Sequence, residues 1–346
     1  MKAYVLEAVN QLELKEVEKP QCKEGYALVE VKAAGICGSD IPRIFETGTY
    51  HFPTIPGHEF SGIVREVYDK DYEDLVGERV GVFPLIPCRE CHPCKEGNYE
   101  MCRSYNYLGS RCDGGFAEFV LVPVWNLLPL PEKISYEEAA MLEPVCVARH
   151  ALRQLGDITG KSICIFGPGT IGLLMAQWAA LLGASKILLV GTKKQQEDLA
   201  KKLGEFHFCN GREENVQEFV KKETDNLGVD IAVEAIGSNE VFSDCLNVVK
   251  PAGSVLMVGN PHSDARIEKA VFWQILRKQL KLYGTWNSSY HGALESDWTE
   301  ALEAMESGRL KPSLQITHKL AFEKLHEGLQ IMKERKEFYN KVMITR

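Results

Sequence analysis

Through the first 120 residues, short β-branched stretches such as Ala27–Ala33, Gly62–Val67 and Arg79–Phe83 are broken repeatedly by Gly and Pro. That pattern predicts an irregular β domain. After Glu143 the texture changes. Apolar runs at Lys161–Gly167, Lys186–Gly191, Asp230–Gly237 and Gly253–Gly259 alternate with helical patterns such as Ile171–Leu182. Strands apolar on both faces suit a parallel sheet covered by helices, so this half is predicted to be a doubly wound α/β sheet. The segment 285–346 holds two amphipathic helical patterns and a closing strand, Lys341–Thr345, expected to return to the first domain. The predicted division is therefore 1–145, 146–284 and 285–346, with a cysteine-bearing lobe at 87–103.

Bulk properties narrow the partners. A chain of 346 residues exceeds a single ordinary core, and 45% hydrophobic with 25% charged residues is the composition of an ordered globular protein. The net charge of -8 and the scattered basic residues argue against nucleic-acid binding and favour a small soluble partner. No apolar run reaches the roughly eighteen residues of a membrane span. Met1–Glu7 lacks the apolar core of a secretory signal, so the expected compartment is the reducing cytoplasm, where eleven cysteines need not pair.

Cys88, Cys91, Cys94 and Cys102, separated by two, two and seven residues, can converge on one tetrahedral zinc ion. With all four positions filled by protein, that ion is structural, and chemistry must lie elsewhere. A second set is at hand in Cys37, His58, Glu59 and Glu143. One thiolate, one imidazole and one or two carboxylates hold zinc while leaving a position open, the arrangement of a catalytic ion that acidifies an alcohol or polarises a carbonyl for hydride transfer. Each residue alone has a plainer reading: a core thiol, a packed histidine, its ion partner, a helix-start carboxylate. The joint set is what carries the chemistry. Ser39 is placed to pass a proton from the bound hydroxyl and Asp40 to hydrogen-bond the imidazole, although both are also common turn residues.

Gly167, Pro168, Gly169, Thr170, Ile171 and Gly172 follow a predicted buried strand and open a predicted helix. In that context the glycines form a dinucleotide cradle: a tight turn at Gly167, close backbone approach to a pyrophosphate at Gly169, and helix–strand packing at Gly172. The second strand ends in Gly191, Thr192, Lys193 and Lys194, with no acid to bind a ribose 2′-hydroxyl. A hydroxyl and two cations there favour NADP(H) over NAD(H). The alternative is that the lysines only begin a solvated helix face.

Taken together, Gly-Ile-Cys37-Gly-Ser39-Asp40, Gly57-His58-Glu59, the four-cysteine lobe, Asp113-Gly-Gly-Phe-Ala-Glu118, Glu143-Pro144 and the glycine loop closely resemble the zinc-dependent medium-chain dehydrogenases over nearly the whole chain. The resemblance implies a GroES-like, mainly β catalytic domain with a zinc lobe, joined to a Rossmann domain. It also implies two zinc ions per chain and a homodimer or homotetramer. Cys37, His58, Glu59 and Glu143 match the polyol-type catalytic zinc positions, with the directly bound carboxylate left open between Glu59 and Glu143.

Gly38–Phe45, Tyr107–Arg111 and Ile275–Leu280 leading to Gly284-Thr285-Trp286 are most similar to the branch of the family acting on hexitol phosphates. That branch oxidises a secondary alcohol, as in galactitol 1-phosphate, to a ketose phosphate. A phosphorylated substrate needs a cation, for which Arg43 is the first candidate and Arg111 and Lys341 are weaker ones. Two positions depart from the family pattern. Pro42 stands where many members end the proton relay with histidine, leaving Ser39 with solvent or the cofactor ribose. Gly191 stands where NAD users carry Asp. The competing readings are a sorbitol, iditol or diol dehydrogenase, and a non-catalytic zinc and dinucleotide binding module.

Overall fold

The computed structural model describes residues 1–261, 263–292 and 294–346. The chain divides into two units, Met1–Pro144 with Ser289–Arg346, and Val145–Ser288.

In the first unit, β1 (Tyr26–Ile36) and β2 (Glu59–Val67) pair antiparallel, with Gly35 opposite Glu59. They form the middle of a seven-stranded sheet in the order Ile316–Ala321, Lys341–Thr345, β1, β2, Arg79–Val82 and Leu127–Pro129, while Phe119–Pro123 also pairs with β1. Alternate side chains of these strands, among them Val29, Phe60, Val80, Val120 and Val342, are buried in one cluster with Leu329 of the last helix. Each fully buried side chain of this kind contributes about 1.5–3 kcal/mol. The closing strand pairs antiparallel with β1, Val342 opposite Ile36, which sets Lys341 beside the end of β1. The returning segment is anchored by aromatic contacts. Tyr290 packs 4.7 Å from Phe83 and 4.9 Å from Trp125, and its hydroxyl donates to the Leu127 carbonyl at 3.0 Å.

Two features differ from expectation. A hairpin of Lys2–Ala8 and Gln11–Glu16 precedes the predicted strands. The cysteine segment, whose Pro, Gly and charge favour irregular backbone, nonetheless contains a helical turn at His92–Lys95 and a 3₁₀ turn at Tyr99–Met101. Pro93 suits a helix start, where its missing N–H costs nothing.

The second unit is a Rossmann sheet. Its strands are β3 (Ser162–Phe166), β4 (Lys186–Gly191), β5 (His207–Asn210), β6 (Val229–Glu234), β7 (Val249–Met257) and β8 (Lys281–Gly284). All neighbouring pairs are parallel, in the order β5-β4-β3-β6-β7-β8. Short edge strands β5 and β8 carry too few apolar residues to stand out from sequence alone. Helix α1 (Thr170–Leu181) follows β3 and is buried along most of its length, as its continuous apolar run requires. Among the described residues no helix is long and apolar enough to cross a membrane.

Candidate active site

Two groups of metal-binding side chains converge within the first unit: Cys88, Cys91, Cys94 and Cys102, and Cys37, His58 and Glu59. In the lobe, Cys91–Cys94, Cys88–Cys94 and Cys91–Cys102 sulfurs lie 3.5, 3.9 and 3.9 Å apart. Four sulfurs at about 2.3 Å from a tetrahedral zinc stand roughly 3.8 Å from one another, so the spacing fits the ion. It excludes disulfides, whose sulfurs lie at about 2.0 Å. The sulfurs cannot all ionise without a cation. Burial and neighbouring sulfurs push Cys94 up to about 12, while backbone N–H groups of the lobe pull Cys91 down to about 6.

The second group is built at the ends of β1 and β2. Cys37 follows β1 directly, and Glu59 opens β2 with His58 immediately before it, so the antiparallel register brings the thiol to the imidazole and carboxylate. Asp40, fully buried, knits the turn together. Its Oδ2 accepts the Cys37 N–H at 3.0 Å, and its Oδ1 accepts from Arg43 at 2.7 Å and lies 3.4 Å from His58 Nδ1. Burial opposes a charged His58, but Asp40 and Cys37 outweigh it and hold the ring well above its usual range. His58 Nδ1 is nonetheless buried without a properly aligned hydrogen-bond partner. A soft sulfur beside a buried imidazole and a buried carboxylate, with donor atoms of all three within 4.8 Å of one another, fits a zinc ion with one position left open.

Lys341 arrives from the closing strand. Its ammonium donates to Glu59 Oε2 at 2.5 Å and to the Ile36 carbonyl at 3.3 Å. Burial disfavours this charge, but Glu59 and Cys37 raise its pKa above the ordinary value. Ser39 Oγ lies 3.3 Å from Cys37 Sγ.

Glu143 stands outside the three converging donors. Its Oε1 accepts from Tyr107 Oη at 3.1 Å, and the Tyr107 ring lies 5.8 Å from that of His58. Burial lifts the Glu143 carboxyl to about 7, with the Glu59 charge adding to the rise and His58, Lys341 and Tyr107 opposing it. Two like carboxyls in one buried place favour leaving one of them protonated. The sequence marks Tyr107 only as part of the Tyr107–Arg111 segment, because nothing local links it to Glu143.

Arg43, the first cation candidate, and Lys341, one of the two weaker ones, both meet carboxylates. Arg43 is committed to Asp40 and Lys341 to Glu59. Neither is the free cation that the sequence suggested, because each neutralises a buried carboxylate.

In the second unit the glycine loop has the geometry of a phosphate cradle. Gly167 adopts φ 95°, open to few residues other than glycine, and a Cβ at Gly172 would strike the Gly167 carbonyl. Gly169 caps the N-terminus of α1 with open space where its side chain would be. At the end of β4 lies a cavity of about 530 Å³ lined by Thr192, Lys193, Lys194, Asn210, Glu213 and Glu214, among others. A Cβ at Gly191 would come within 2.6 Å of Phe208 and 2.8 Å of Pro168 and Gln196. Gln196 Oε1 instead accepts the Thr192 and Lys193 N–H groups at 3.0 and 3.1 Å. Lys194 heads the next helix and pairs with Glu197 at 2.6 Å and Asp198 at 3.5 Å, so its charge is already met.

Comparison with known proteins gives this geometry a family. Residues 23–132 match the alcohol dehydrogenase GroES-like domain and residues 170–307 the zinc-binding dehydrogenase family. Galactitol 1-phosphate 5-dehydrogenase of Escherichia coli K12 is 32% identical over 303 residues, covering 87% of each chain. Sorbitol dehydrogenase of Bacillus subtilis 168 is 29% identical, covering 99% of this chain and 97% of its own. The crystal structure of galactitol-1-phosphate dehydrogenase from Escherichia coli superposes with a TM-score of 0.91 at 30% identity over the whole of both chains. With that similarity extending through both units, the chain belongs to the zinc-binding medium-chain dehydrogenases and is a zinc-dependent alcohol or polyol dehydrogenase that uses a nicotinamide cofactor.

Proposed function

We propose that this enzyme oxidises a secondary alcohol of a polyol phosphate to the ketose phosphate, with NADP(H) as the preferred cofactor. The observation that carries the chemistry is the convergence of half-buried Cys37 with buried His58 and Glu59, three donors of the type that leave a fourth position for substrate. When bound, zinc acidifies an alcohol at that position and the nicotinamide accepts its hydride. The protein's part is positioning and proton handling. Asp40 orients Cys37 and His58, and Ser39 Oγ takes the alcohol proton toward solvent, since Pro42 offers no onward relay. Lys341 holds Glu59 in place, and Glu143, whose carboxyl burial pushes up to about 7, serves as a reserve carboxylate beside the three donors.

The phosphorylated substrate class is supported by similarity to the Escherichia coli galactitol 1-phosphate enzyme. Similarity to the Bacillus subtilis sorbitol enzyme over nearly the full length supports the second reading, an unphosphorylated polyol. For the cofactor, the missing acid at Gly191, with Thr192 and Lys193 beside the cavity, favours a 2′-phosphate. Four lobe cysteines spaced for zinc rather than for disulfides support a reducing cytoplasmic setting. Half-exposed Phe272 and Trp273, with Leu276, on the helix before edge strand β8 support a homodimer or homotetramer.

Initial rates for hexitol phosphates, hexitols and short diols with each cofactor, together with zinc content, test these assignments. Two zinc ions and higher kcat/KM on a hexitol phosphate with NADP are expected. Equal or better turnover of the plain hexitol sinks the phosphate reading, and a tenfold preference for NAD sinks the cofactor reading. Zinc confined to the four-cysteine lobe, without turnover, would favour a binding module.

A further inference from the structure

Arg111 differs from the other two cations that the sequence offers for a phosphate. Arg43 and Lys341 each sit on a carboxylate, whereas among the described residues no carboxylate pairs with Arg111. Its guanidinium is stacked between two rings, 3.8 Å from the centre of Tyr50 and 4.4 Å from that of Tyr105, and its Nε is buried with no hydrogen-bond partner. The ring contacts engage the face of the planar cation, so an anion would have to meet its N–H edge. A buried donor without an acceptor is costly, and an anion with several oxygens removes that cost through paired charge-assisted hydrogen bonds.

The position is coupled to the reaction centre through one short turn. The Arg111 N–H donates to the Tyr107 carbonyl at 2.9 Å, and Tyr107 in turn donates to Glu143 and faces His58. The Tyr105 and Tyr107 rings stand 6.3 Å apart. The Tyr50 loop is also held independently of the Arg111 side chain. His51 Nε2 lies 3.1 Å from the Arg111 carbonyl, and the Tyr50 N–H reaches the Ser110 carbonyl at 3.4 Å.

We propose that Arg111, stacked between Tyr50 and Tyr105, binds the phosphate of a phosphorylated polyol and thereby sets preference for it over the plain polyol. This rests on the polyol phosphate reading above. It moves the specificity contact from Arg43, which instead positions Asp40.

The test compares kcat/KM for a hexitol 1-phosphate and the same hexitol in wild type, Arg111→Ala and Arg111→Lys. It adds inorganic phosphate as a competitive inhibitor. Loss of a charge-assisted contact lowers the preference ratio in Arg111→Ala by about 10- to 100-fold, and Arg111→Lys restores part of it. Inhibition by inorganic phosphate weakens in parallel. Equal losses on both substrates, with unchanged phosphate inhibition, would show that Arg111 only clamps two loops and would overturn the proposal. The same ratio loss after Arg43→Ala, with Arg111→Ala silent, would overturn it as well. A wild-type enzyme that oxidises hexitols but no hexitol phosphate refutes the substrate class itself, and a preference for hexonates lost in Arg111→Ala reassigns the anion to a carboxylate.

Discussion

The same one-carbon change at two glycines of the nucleotide loop should separate folding from cofactor binding. At Gly172 a built Cβ meets the backbone carbonyl of Gly167, which cannot rotate away like a side chain, because Gly167 is itself held at φ 95°. Helix α1 or the turn must shift, and overpacking of this kind costs about 1–3 kcal/mol. At Gly169 the backbone is extended, φ -83° and ψ -165°, and nothing lies within 4 Å of a built Cβ. The gain of about 0.4–1 kcal/mol from a less flexible unfolded chain is comparable to the roughly 0.5–1 kcal/mol lost because alanine caps a helix less well than glycine. Gly172→Ala is therefore expected to lower unfolding free energy in urea by about 1–3 kcal/mol, and Gly169→Ala to leave it nearly unchanged. Cofactor binding should behave differently. The methyl of Gly169→Ala stands where the pyrophosphate approaches the N–H groups of α1, and loss of one such contact raises the dissociation constant about 10- to 100-fold. Nicotinamide fluorescence titration measures it. Wild-type affinity in Gly169→Ala would refute the cradle, and wild-type stability in Gly172→Ala would refute the packing argument.

Further outcomes follow from the buried charges and the zinc lobe. Lys341→Met breaks a buried ion pair and should cost about 3–5 kcal/mol at pH 8, with Lys341→Met/Glu59→Gln regaining much of it in urea denaturation. Because Glu59 and Cys37 raise the Lys341 pKa above its ordinary 10.5, the wild-type contribution is whole below that pH and is lost only as pH climbs through the folded value. A Lys341→Met deficit that already shrinks between pH 7 and 9 contradicts this sign. Cys94→Ser should reduce zinc from two ions per chain to one by elemental analysis, and unchanged stoichiometry would show that the lobe does not need its buried thiolate. Lys193→Ala should weaken NADP(H) about tenfold and NAD(H) far less, since only the former carries the 2′-phosphate. Equal effects on both cofactors would remove Lys193 from that contact.

Much of the chemistry is legible locally. The four lobe cysteines lie within fifteen residues and the glycine loop within six, so spacing alone brings their groups together. The central strands of both sheets were also readable, because burial on one or both faces leaves a mark on composition. Edge strands His207–Asn210 and Lys281–Gly284 carry no such mark. Arg43 illustrates the limit at the site. Its proximity to Cys37 suggested a substrate contact, whereas the same turn presents it to a buried Asp40, whose charge demands a partner.

Residue types and short spacings determined that this chain holds zinc in two ways, cradles a dinucleotide and alternates β with α/β texture, because those properties depend on neighbours along the backbone. How near each carboxylate lies to Cys37 and His58, and which cation meets Glu59, was decided only by tertiary contacts between distant segments. Lys341 meets Glu59 across 282 residues and Tyr107 meets Glu143 across 36. Burial makes those partnerships strong, since a charge removed from water must be matched or neutralised, and no local pattern records who will match it.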